Sequence, residues 1–125
     1  MDDLVQWLRA QLDEDERVAR LALDQTGDNW RAYYKQIIAA NPRFGEDPAD
    51  ANTSEVADHI ARHDPTRVLA EVEAKRQVIE QYESIGNPPP SEIGPDLVRA
   101  ELGRVLRLLA LPYADRPGYR EEWRP

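Results

Sequence analysis

Asp58-His59-Ile60-Ala61-Arg62-His63-Asp64-Pro65-Thr66-Arg67-Val68-Leu69-Ala70-Glu71-Val72-Glu73-Ala74-Lys75-Arg76 is the stretch whose reading decides the fold class. Asp64 is a residue type that accepts backbone N–H groups at a helix start. Pro65 suits the first helical position, where a missing N–H costs nothing. Proline also disfavours helical geometry in the residue before it, so one helix stops near Arg62 and a second starts at Pro65. Val68, Leu69, Val72, Ile79 and Tyr82 then share a face, with Glu71 and Lys75 four apart on another. This spacing predicts a helix over 65–85, ended by Gly86.

Upstream, Thr53 or Ser54 caps a short helix running to Arg62. Residues 41–52 hold two prolines, a glycine and three acids and read as a loop, with Phe44 as its anchor. Residues 30–40 are ambiguous: Trp30, Tyr33, Tyr34, Ile37 and Ile38 have helical spacing, although Tyr-Tyr and Ile-Ile also suit a strand. The helix is the preferred expectation. Leu4, Leu8, Leu12, Ala19 and Ala22, widened by Val5, Val18 and Leu21, predict a first helix over 3–25, with Asp13–Arg17 and Glu16–Arg20 pairs and Gly27 as its left-handed cap.

Downstream, residues 87–94 form a proline-stiffened linker. Pro95 opens a last helix to 111, whose Leu97, Val98, Leu102, Val105, Leu106, Leu108 and Leu109 imply burial on more than one side. Residues 112–125 hold too many prolines for one regular element, yet Tyr113, Tyr119 and Trp123 are too costly to leave wet. The expected fold is all-α: a single helical domain, 1–125, of four or five helices, with an irregular aromatic tail packed back on the bundle.

Composition narrows the chemistry. The chain has 125 residues and no cysteine, which removes disulfides, thiolate nucleophiles and zinc–thiolate sites. No apolar run is long enough to cross a bilayer, and Met1-Asp2-Asp3 is not a basic lead into an apolar segment, so no membrane role and a cytoplasmic location are expected. The net charge of −8 disfavours binding to nucleic acid. Fourteen of the sixteen basic residues are arginines, which fits GC-rich coding or selection for bidentate pairing with carboxylates.

Two segments of chemistry stand out. His59 and His63, at i and i+4, project from one helix face and are candidate ligands for a divalent metal, with Asp58, Asp64, Glu71, Glu14 and Glu16 as supporting oxygens. The alternative is a structural pair at a helix end, where imidazolium meets the favourable end of the dipole. In the tail, Tyr113, Arg116, Tyr119, Arg120 and Trp123, with Arg124, have the composition of an interaction surface, or serve to lock the tail in place. Asp13-Glu14-Asp15-Glu16 cannot converge on one site, since neighbouring helical residues diverge, and it reads as a solvated face. No phosphate loop, nucleophile elbow or dinucleotide fingerprint is present, and nothing demands an enzyme or a cofactor.

The strings His59-Ile60-Ala61-Arg62-His63-Asp64-Pro65, Val68 to Arg76, Leu106-Arg107-Leu108-Leu109-Ala110-Leu111-Pro112-Tyr113-Ala114-Asp115 and Tyr119-Arg120-Glu121-Glu122-Trp123 resemble those of a family of short actinobacterial and actinophage proteins known as a domain of unknown function. Leu12-Asp13-Glu14-Asp15-Glu16 with Trp30 also fits, so the resemblance spans somewhat more than half the chain. It implies such an origin and carries no activity. Three functions stay open: a non-enzymatic helical interaction module, phage-derived, that binds a basic protein partner; a helical metalloprotein using His59 and His63; and a nucleic-acid-associated protein with an arginine face. A wide apolar stripe on the last helix also suits a homodimer.

Overall fold

A computed structural model of the protein describes residues 1–27, 29–39, 47–87 and 93–125. Helix α1 spans Asp2–Thr26 and is followed by the strands β1 (Trp30–Tyr33), β2 (Gln36–Ala39) and β3 (Ala49–Asp50). Helices α2 (Ser54–Arg62), α3 (Pro65–Ile85) and α4 (Ile93–Ala110) come next, then two single 3₁₀ turns at Leu111–Tyr113 and Glu121–Trp123. No helix among the described residues is long and apolar enough to cross a membrane. The chain divides into two compact units, one of Met1–Asp13 with Glu73–Pro125, the other of Glu14–Val72.

The fold is mostly helical but not all-α, which corrects the expectation for residues 30–40. They form an antiparallel hairpin in which Trp30 faces Ala39 and Tyr33 faces Gln36, and β3 adds a third strand beside β2. The hairpin was hidden because its loop, Tyr34-Lys35, has none of the Asn or Gly residues that usually supply positive φ in such a turn. Tyr34 adopts φ +54 all the same. Once the strands form, alternation puts Ile37 and Ala39 inside and Gln36 outside. Part of the expected 41–52 loop is strand β3, while Phe44 lies outside the described residues.

Among the described residues of the Glu14–Val72 unit, Ile37 is the largest fully buried side chain, and it packs with Ala57 and Ala61 of α2. Two alanines four apart let the short helix sit close on the hairpin, with Trp30, Ala32, Ala51 and Ile60 around them. Thr53 is the cap of α2, its side chain accepting from the Val56 N–H at 3.2 Å.

In the other unit the buried apolar residues include Leu4, Val5, Leu8 and Leu12 of α1, Ile79 and Tyr82 of α3, Leu106 and Ala110 of α4, and Tyr113 and Trp123 beyond it. Each buried leucine or isoleucine contributes about 1.5–3 kcal/mol relative to exposure. Helix α4 differs from expectation in two ways. It starts at Ile93, with Pro95 inside the first turn where the lost N–H is tolerated. It also buries only a narrow stripe: Leu97, Val98, Val105 and Leu108 are exposed.

Many of the arginines are paired with carboxylates. At least nine of the fourteen arginines sit in ion pairs: Arg9, Arg17, Arg20, Arg62, Arg67, Arg76, Arg104, Arg120 and Arg124. Arg17 takes Glu14 in place of the expected Asp13, and Asp13 instead meets Arg76 at 2.7 Å. Glu16–Arg20 forms as the spacing requires.

Candidate functional site

Three places hold the residues singled out above. At the junction of α2 and α3, Asp64 is buried, and its two carboxylate oxygens have separate tasks. One accepts the Arg67 N–H at 2.9 Å and caps α3; the other accepts the Trp30 N–H at 3.1 Å and pins the start of β1. The Trp30 indole N–H donates to the Thr26 hydroxyl at 2.9 Å, which ties the same strand to the end of α1. The hairpin is thus held at its base, while its far end carries Tyr33 and Tyr34, 57% and 76% exposed, with their rings edge to face at 4.8 Å. Sequence reasoning assigned both tyrosines to a helix face and missed this tip; the paired Tyr-Tyr and Ile-Ile were the available signal.

His59 and His63 are brought together as their spacing requires. The ring centroids lie 4.6 Å apart on the exposed end of α2, where His63 is the residue just past the helix. His63 Nδ1 is hydrogen-bonded to the His59 carbonyl at 2.8 Å, which ties up one nitrogen in closing the helix end. Asp58 is engaged by Arg62 at 3.1 Å and Glu71 by Arg67 at 2.9 Å. Among the described residues no group of three or more His, Asp and Glu is assembled to hold a metal ion.

The tail is tied to its own unit. Tyr113 and Trp123 are each 6% exposed. Trp7 of α1, which the sequence reading left out, joins Tyr119 and Trp123 in a three-ring cluster, with centroids 5.5, 5.6 and 5.8 Å apart. Edge-on and tilted contacts of this kind add about 0.5–1.5 kcal/mol each beyond area. The Trp7 indole N–H donates to the Pro117 carbonyl at 2.9 Å, possible because Gly118 at φ +88 turns the chain there. Arg116 lies over the Tyr113 ring and reaches Gln11 at 3.4 Å, and Lys75 donates to the Tyr113 hydroxyl at 3.2 Å. Arg120 meets Asp3 at 3.1 Å and stacks on Trp123. Arg124 grips Glu121 through two hydrogen bonds, 2.9 and 3.0 Å, holding that carboxyl below its usual range. The guanidinium edges of this surface remain outward: Arg120 and Arg124 are exposed.

A family model described as a family of unknown function (DUF6221) matches residues 1–125. No curated protein and no solved structure matches the chain.

Proposed function

The chain belongs to this family of unknown function (DUF6221) along its whole length, and we propose that it is a non-enzymatic, mostly helical protein-interaction module. The observation that supports this reading is the hairpin tip. Two adjacent tyrosines are held in water on a base pinned by Asp64 and Thr26, and Tyr34 has left-handed backbone geometry that costs a non-glycine residue about 1–2 kcal/mol. Large, stiff aromatic side chains carry binding energy at low entropic cost.

The partner class follows from charge. Glu14–Val72 carries twelve acidic against seven basic residues, a field that attracts a basic protein, and exposed tyrosine faces accept its arginines or lysines by cation–π contact. In the tail, Arg116, Tyr119 and Arg120 provide a second contact edge, with Tyr113 and Trp123 as the anchors beneath. The resemblance to actinobacterial and actinophage proteins supports an origin there, as a phage-derived module; action in the cytoplasm is part of the same proposal. Nucleic acid is the weaker partner class, given the same charge.

The test is affinity capture from an actinobacterial lysate with the native protein and with Tyr33→Ser/Tyr34→Gly. Glycine relaxes position 34, so the variant keeps its fold. A basic protein retained by the native chain, released by added salt and lost from the variant is the expected result. Equal capture by both would sink the hairpin reading.

A second reading, a divalent-metal site at His59 and His63, rests on their 4.6 Å ring separation alone. Water would have to complete the coordination. Native mass spectrometry with added zinc tests it: one bound ion, lost in His59→Ala/His63→Ala, is the required outcome.

A further inference from the structure

Helix α4 leaves an apolar face open to water. Leu97 is 60%, Val98 53%, Val105 38% and Leu108 55% exposed. Between the two leucines lie Glu101 and Arg104, both well exposed and joined within the helix by only a loose contact at 3.7 Å. The spacing Leu97–Glu101–Arg104–Leu108 is four, three, four, which keeps all four side chains on one seam of a helix, flanked on one side by Val98 and Val105. That seam reads as a charge-complementary palindrome: leucine, acid, base, leucine.

We propose that this face is the contact with a second copy of the chain, with α4 packed antiparallel on α4 about a two-fold axis between Glu101 and Arg104. In that register Leu97 meets the partner's Leu108, Val98 lies beside the partner's Val105, and Glu101 meets the partner's Arg104, each contact occurring twice. The charges select this arrangement over its competitors. A parallel pair would place Glu101 on Glu101 and Arg104 on Arg104. An antiparallel pair centred on Glu101 would again oppose like charges. From Leu97 to Leu108 the seam rises through eleven steps of 1.5 Å, about 17 Å, three turns of knobs against holes. A heterologous partner would have no need of a face that matches its own reverse. The inference is independent of the hairpin reading, since it uses neither Tyr33 nor Tyr34.

Sedimentation velocity on the full chain over a micromolar to near-millimolar range tests it. The native protein is expected to reach twice the chain mass. Glu101→Arg alone and Arg104→Glu alone should each weaken the dimer about tenfold or more, because each puts like charges face to face. The double exchange, Glu101→Arg/Arg104→Glu, should restore the affinity to within a few-fold of native. Leu97→Ser/Leu108→Ser should give a monomer with an unchanged far-ultraviolet circular dichroism spectrum. A native monomer at every concentration overturns the proposal and leaves the face to a different protein. A dimer indifferent to the single charge changes overturns it as well, since some other surface then forms the contact.

Discussion

The carboxylate of Asp64 accepts the backbone N–H of Trp30 across thirty-four residues of chain while its other oxygen starts α3. One buried side chain therefore sets both the entry of the hairpin and the entry of the second-longest helix. Asp64→Ala removes a helix cap, about 1 kcal/mol, and leaves a partly buried N–H without its acceptor, about 1–3 kcal/mol more. A loss of about 2 kcal/mol or more in urea unfolding is expected. Asp64→Asn should cost less, because an amide oxygen can still serve one of the two donors. A loss under about 0.5 kcal/mol in the alanine variant would mean that the cap and the strand anchor are both replaceable.

Gly118→Ala should destabilise the tail. Its φ of +88 is unfavourable to alanine, and the added methyl would stand 2.9 Å from the Trp7 indole nitrogen. The backbone term alone is about 1 kcal/mol, and the clash pushes Trp7 off the Pro117 carbonyl. A lower melting temperature with red-shifted tryptophan emission is the expected signature. Unchanged emission would mean that the ring cluster tolerates the methyl.

Tyr119→Phe should be neutral or stabilising. Among the described residues the buried Tyr119 hydroxyl finds no hydrogen-bond partner, so the native residue bears a desolvation cost that phenylalanine does not. Its ring contacts with Trp7 and Trp123 remain. A clear drop in melting temperature would show that the hydroxyl has a partner, such as water or a ligand, in solution.

The Glu121–Arg124 pair predicts an acid sensitivity. Hydrogen bonding to Arg124 first, and its charge second, lowers the Glu121 carboxyl below its usual value. A carboxyl lowered in the folded state stabilises the fold above its unfolded value, and that contribution fades as pH falls through the folded one. Both side chains are open to solvent, so the effect is small and weakens with salt. Trp123 emission followed below about pH 4.5 should show a transition at low salt that Glu121→Gln shifts or removes. Identical acid profiles for the two proteins would dismiss the pair as a tail clamp.

What could be read from the chain follows from where its signals are local. The α2–α3 break needed only Asp64 and Pro65, and the ends of α1 and α3 only Gly27 and Gly86, because caps act within one turn. The hairpin was legible only as an alternative, in Tyr-Tyr and Ile-Ile: its turn uses Tyr34 against its own backbone preference, and Asp64, which pins the first strand, lies far along the chain. Likewise Trp7 lies on the edge of the α1 stripe, and only the returning tail shows why a tryptophan stands there. Breadth of apolar pattern also overstated burial on α4, since a leucine counts the same toward periodicity whether its face is covered or bare. Both histidines were placed correctly by spacing, yet spacing says nothing about what else converges on them.

The distribution of indoles gives the protein two separate optical reporters. Trp7 and Trp123 lie in one compact unit, in contact with each other, while Trp30 lies in the other, bonded to Thr26. Trp30→Phe would confine the emission to the first, and Trp7→Phe/Trp123→Phe to the second. Overlaying the two unfolding curves then shows whether the halves of this chain melt as one body or in succession.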